Sequence, residues 1–200
     1  VIDEKLTRMK ELAEQAATGT YDSTQRLMIE SEYQAMASEI TRIANATDFN
    51  GIKLLDGNLS SSVHDGSKMT STGKLKIHFG TGNDSAEDYY YITIGNCTAS
   101  ALGVGNQAID GDTGQLRDGG TVSTQEAAQK SLVALNNAIV SKDKIRAHLG
   151  AVQNRLENTI TNLNTQAENL QAAESRISDV DVATEMTQFV RNQILSQSAV

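Results

Sequence analysis

The stretch LGAVQNRLENTITNLNTQAENL, Leu149 to Leu170, decides the fold. Leu149, Val152, Leu156, Ile160, Leu163 and Leu170 recur mostly at spacings of three and four. That is the apolar stripe of an amphipathic helix. The same period runs upstream through Leu132, Leu135, Ile139 and Ile145, so one helix is expected from about Thr121 to about Ala173. VSTQEAAQK (122–130) supplies a Ser or Thr N-cap followed by acidic and amide residues. At about 1.5 Å per residue, roughly fifty residues span roughly 75 Å. A helix that long cannot hide its stripe alone, so it must lie against helices distant in the chain.

Residues 1–51 supply those helices. Leu6, Met9, Leu12, Ala13 and Ala16 form one stripe. TGTYDS (18–23) breaks it, with Gly19 as a C-cap and Asp22 or Ser23 as the next N-cap. A second helix carries Leu27, Tyr33, Met36, Ile40 and Ile43 on one face, and DFNG (48–51) ends it with turn chemistry. Residues 52–120 change character, with more Gly, Ser, Thr and Asp. GIKLLDG (51–57) reads as a short strand between glycines. KLKIHFG (74–80) alternates Leu75, Ile77 and Phe79 against Lys74, Lys76 and His78, and YYYITIG (89–95) is β-branched and aromatic. TGNDSAED (81–88) joins them. This zone reads as β-hairpins resting on the helices.

Residues 121–178 hold the long helix. RISDVDVATEM (176–186) then interrupts its pattern. A hinge is expected at 178–182, with Asp179 and Asp181 as N-cap candidates for a last helix over 179–200 carrying Met186, Phe189, Val190, Ile194 and Leu195. The fold class that follows is mainly α: an elongated helical rod of long antiparallel helices with a small inserted β-hairpin region.

Composition agrees. The 200 residues contain no Pro, which breaks helix interiors, and no Trp. Hydrophobic residues make up 38% and aromatics only 4%, so the core must be Leu, Ile, Val, Ala and Met. A net charge of −8 argues against nucleic acid and against anionic membrane surfaces. Cys97 is the only cysteine, which excludes an intrachain disulfide. No apolar run approaches the ~18 residues of a membrane span.

The sequence offers little that points to catalysis or ligand chemistry. GVGNQA (103–108) fits a dinucleotide fingerprint in letters, but the loop sequence IDGDTG follows it where a helix is required. DGDTG (110–114) begins like a calcium loop, yet Gly114 and Thr121 stand where two ligands should be. His64, His78 and His148 are scattered, and Cys97 has no basic neighbour. No enzyme, cofactor or metal site is expected. The amides Gln153, Asn154, Asn158, Asn162, Asn164, Gln166 and Asn169 carry more information. They donate and accept hydrogen bonds with no charge to desolvate. Such faces suit surfaces that are polar in a free subunit and buried in an assembly.

LGAVQNRLENTITNL followed by AESRISDVDVATEM resembles the C-terminal region of bacterial flagellin, and RMKELAEQAATGTY with EITRIANATDFNGIKLL resembles its N-terminal region. The resemblance covers both helical zones and leaves a short, divergent middle. It implies a structural subunit of the flagellar filament, secreted unfolded through the flagellar type III apparatus with an export chaperone. Such subunits polymerise outside the cell under a cap, as a homopolymer used for motility. It implies a helical rod with β-hairpins, and residues 182–200 as the start of a C-terminal core helix. The chain, starting and ending inside helical pattern, is expected to be a piece that folds but does not polymerise alone. The resemblance further implies recognition by Toll-like receptor 5. The matching positions are Arg8, Glu11 and Leu12 in TRMKEL, Glu32, and Gln153, Asn154 and Arg155 in VQNR. Arg8 and Arg155 would offer planar forks and Leu12 an apolar knob. The nearest rival is the hook–filament junction protein, which has similar terminal helices. A protease-bearing flagellin would need the H-E-x-x-H that this sequence lacks.

Overall fold

A computed structural model describes residues 1–65, 72–85, 88–109, 111–112, 114–178 and 182–198. The first helix, α1 (Ile2–Ala17), buries Leu6, Met9, Leu12, Ala13 and Ala16, the stripe expected from its period. It closes at Thr18, whose amide and hydroxyl both donate to the Gln15 carbonyl. That second donor does the work of a left-handed cap, and Gly19 takes no positive φ, contrary to the expectation for it.

Helix α2 (Ser23–Ala46) starts at Asp22, which accepts from the Gln25 amide at 2.7 Å while its own amide donates to the Gln25 side chain at 3.1 Å. This reciprocal box satisfies two donors that the first turn would otherwise leave open. Its buried residues are Tyr33, Ala37, Ile40 and Ala44. The face is turned from the one expected: Met36 and Ile43 are only half-buried and Leu27 is exposed. Tyr33 and Ile40 are buried as expected, and the small Ala37 lets the backbone at Gly105 come close.

The middle zone is a set of short antiparallel pairs. β1 (Asp48–Phe49) and β2 (Ile52–Lys53) form a hairpin through Asn50 and Gly51, with φ of 51° and 79°. Two successive positive φ values make the turn whose twist matches a hairpin, and Asn-Gly is its favoured sequence. DFNG therefore does more than stop α2. β3 (His64–Asp65) pairs with β4 (Thr72–Gly73). β5 (Leu75–His78) pairs with β6 (Tyr89–Ile92), in register from Leu75 opposite Ile92 to His78 opposite Tyr89. A one-turn helix, α3 (Ala99–Leu102), follows, capped by Thr98 and closed by Gly103 at φ 77°.

The long helix α4 (Gln125–Ser178) begins after Thr124, whose hydroxyl accepts from the Ala127 amide at 3.2 Å. The last helix is α5 (Val182–Ser198). Residues 179–181 lie outside the described residues, and with them the expected hinge and the caps at Asp179 and Asp181. So do Asp110 and Thr113 of the DGDTG stretch.

The chain divides into two compact units, Val1–Ala151 and Val152–Val200. In the first, the head of α4 contributes Ala128, Leu135 and Ala138 to one core with the buried faces of α1 and α2 and with Ala99, Leu102, Val104 and Val122. Farther along, Ile145 packs so closely on Gly95 that a Cβ there would lie 2.7 Å from its Cδ1. In the second unit the expected burial of the stripe does not occur. Val152, Leu156 and Leu163 are half-buried, and Ile160 is 57% exposed.

Candidate interaction surface

Three of the expected site residues come together on the first unit. Arg8 of α1 donates from Nε and Nη2 to Glu32 Oε1 of α2, at 2.9 and 2.8 Å. Its Nη1 donates to Glu11 Oε2, one turn along α1, at 3.0 Å. Hydrogen bonds to Glu32 and then Glu11 hold the guanidinium above its ordinary pKa. All three side chains are about half exposed. The result is a preset surface cluster with one cation and two carboxylates. Its planar fork is already oriented and keeps part of its edge free for a partner.

Leu12 does not join it. It is 1% exposed and belongs to the core of α1 and α2. The apolar knob expected at this position is not on the surface, because the α1 stripe that contains Leu12 faces inward.

Gln153, Asn154 and Arg155 form one exposed turn of α4 in the second unit. Gln153 Nε2 donates to Glu157 Oε1 at 3.0 Å. The other amides of the opening stretch, Asn158, Asn162, Asn164, Gln166 and Asn169, are exposed as well. Interspersed are bare apolar groups. Leu170 and Ile177 stand out from α4, the latter 87% exposed, and Met186, Phe189, Val190, Ile194 and Leu195 stand out from α5. Apolar side chains in this number on one segment mark an interaction surface.

A further polar cluster was invisible in the sequence. Tyr33 is fully buried, and its hydroxyl donates to the Gly119 carbonyl at 2.6 Å. Burial pushes that phenol far up. Gln34 Nε2 donates to Glu30 Oε1 and to the Gly120 carbonyl, and its Oε1 accepts from the Asn106 amide at 2.7 Å. Glu30 Oε2 accepts from the Val122 amide. Ser131 donates to the carbonyls of Asp118 and Thr121. Together they fasten the 103–122 connection to α2 and α4. Its glycines have a packing reason: at φ 78°, a Cβ on Gly105 would meet Ala37 Cβ at 2.4 Å. The only sequence signal was the adjacency of polar residues on one α2 turn, and Tyr33 reads there as apolar.

The remaining candidates are structural. Cys97 is buried and its thiol is pushed up by desolvation. His64 Nδ1 lies 2.6 Å from the Lys74 carbonyl and His78 Nε2 2.9 Å from the Gly82 carbonyl. Among the described residues no group of three His, Cys, Asp or Glu side chains could hold a metal ion. None of the described helices is long and apolar enough to cross a membrane.

Comparison with known proteins gives a consistent result. Residues 1–60 match the family described as bacterial flagellin N-terminal helical region, and residues 132–200 match bacterial flagellin C-terminal helical region. The chain is 39% identical over 193 residues to flagellin FlaB2 of Treponema pallidum (strain Nichols), covering 96% of this chain and 63% of that protein. It is 38% identical over 205 residues to flagellin of Bacillus subtilis (strain 168), covering 97% and 66%. The crystal structure of Bacillus cereus flagellin aligns with a TM-score of 0.57 at 25% identity, over 86% of this chain and 83% of that one. The chain thus spans somewhat under two thirds of the length of the curated relatives it matches.

Proposed function

Because the chain belongs to the bacterial flagellin family, we propose that it serves as a structural subunit of an extracellular flagellar filament, assembling with copies of itself for motility. The observation that carries this reading is the surface of residues 152–177 and 184–198, where exposed amides are interspersed with exposed Leu, Ile and Phe side chains. Amides can be buried against a neighbour without a compensating charge, and the apolar groups supply the drive to bury them. On this reading residues 52–120 are the variable segment, 121–178 the rod's long helix and 179–200 the start of the core helix. An export chaperone and a cap are its transient partners. Immunogold electron microscopy on the source bacterium, with antibody raised against this chain, tests the proposal. Label along whole filaments is expected. Label confined to the point where filament meets hook would make the chain the junction protein instead.

A second proposal concerns Toll-like receptor 5, favoured by the half-exposed Arg8–Glu11–Glu32 cluster. Arg8, Glu11 and Glu32 would contact the receptor, with Gln153, Asn154 and Arg155 as a second exposed contact set. Leu12 would support α1 from within. Arg8→Ala should weaken receptor binding while leaving the circular dichroism spectrum and melting temperature unchanged. Unaltered affinity would remove Arg8 from the site.

A further inference from the structure

Asn50 is the only asparagine in the chain followed by glycine. It is also the only non-glycine residue with positive φ among the described residues. It sits at the exposed tip of the β1–β2 hairpin, and no hydrogen bond holds its carboxamide among the described residues. A Cβ on Gly51 would meet nothing within 4 Å, and among the described residues no hydrogen bond holds the Gly51 amide. Asn106, also exposed in a loop, precedes Gln107, and three other loop asparagines are held by their side chains. Asn58 Nδ2 is held by Asp56 at 2.5 Å, Asn83 Oδ1 accepts from Lys76, and Asn96 Oδ1 accepts from the Thr98 amide. Each of these precedes a residue with a side chain.

From this we infer that Asn50 is a self-modification site, where the folded chain converts an amide to an acid without an enzyme. The Gly51 backbone nitrogen loses its proton to solvent base and attacks the Asn50 side-chain carbonyl carbon. A nitrogen–carbon bond forms, the bond from Cγ to Nδ2 breaks, and ammonia leaves with a proton taken from water. The five-membered imide is then opened by water at either carbonyl, giving an aspartyl or an isoaspartyl residue at position 50. No oxidant or cofactor enters. The attack requires Asn50 to swing out of its turn conformation, so the rate is gated by opening of the hairpin. That hairpin has only two residue pairs, Asp48–Lys53 and Phe49–Ile52, and is exposed at Asp48, Phe49 and Lys53. Isolated two-stranded pairs of this kind are marginal in water. The aspartyl product puts a new carboxylate two residues from Asp48, and the isoaspartyl product adds a methylene to the main chain where the turn fixes the register.

This inference does not depend on the filament reading. The purified chain is incubated in mildly alkaline buffer, and samples are taken over time for peptide mapping by mass spectrometry and for labelling with isoaspartyl methyltransferase. Conversion at position 50 should precede that at every other asparagine. It should run slower than in a free peptide covering residues 47–53. In Asn50→Gly, which keeps a turn-compatible Gly-Gly pair, both signals should be lost entirely. Earlier conversion at any other asparagine, or conversion at position 50 only in urea, would overturn it.

Discussion

Arg8 and Leu12 stand one turn apart on α1, Arg8 half exposed at the rim of the contact with α2 and Leu12 buried within it, and their substitutions should separate accordingly. Leu12→Ala removes a fully packed side chain and should cost about 2–5 kcal/mol in a urea titration. Arg8→Ala breaks only half-exposed contacts and should leave the midpoint in place. The α1 period alone put Leu12 in the core stripe, and only the family resemblance moved it to the surface. Periodicity was the better guide there, because burial is what it reports. Arg8 shows the reverse: no period predicts that its partner is Glu32, which lies 24 residues away on another helix. Among the described residues, three carboxylates are held below their ordinary range. Asp3 is held down by its hydrogen bond to Lys142, Glu39 by Arg42, and Asp88 by the backbone amides of Asp84 and Gly82. A carboxylate depressed in the folded state stabilises it above its unfolded pKa and loses that contribution as pH falls through the folded value. The urea midpoint should therefore stay level through neutral pH and drop as pH passes below the ordinary carboxylate range. Added salt should shrink the part due to Asp3 and Glu39, which are ion pairs near solvent.

Among the elements, the most telling is the connection pinned by Tyr33. Tyr33→Phe keeps the packing but removes one of the two donors to the Gly119 carbonyl, which retains the Gly105 amide, and should lower stability by about 0.5–1.5 kcal/mol. A shifted urea midpoint with an unchanged slope would confirm that only stability moved. The strands show where local reading reaches its limit. β5 and β6 were legible because Leu75 and Ile77 alternate with Lys76 and His78 over enough residues to display a period of two. β3, β4 and α3 contain two, two and four residues, too few to display any period. In the sequence, Asn50–Gly51 reads as a helix stop. Its hairpin went unseen because each strand flanking the turn is only two residues long.

At the scale of the whole molecule, the sequence showed the four longer helices and which of their residues are apolar, but not how far each stripe is covered. α4 buries Leu135 and Ala138 in the first unit, while Ile160 and Leu170 of the second stay exposed. Amide hydrogen exchange should record this division. Amides of 152–178 and 182–198 should exchange much faster than those of Leu6–Ala16 and Tyr33–Ala44, since opening is cheap where few apolar contacts are lost. Equal protection across both would refute the division.

The ion pair between Lys142 and Asp3 spans 139 residues, and the core it borders joins α1 to the head of α4. A ribosome therefore releases the first helix long before its covering residues exist. At roughly 5–20 residues per second, about 130 residues of further synthesis take roughly 6–26 s. Throughout that interval Leu6, Met9 and Leu12 lack the α4 part of their shelter. The core that α1 shares with α4 therefore closes only late in synthesis, however early α1 itself forms.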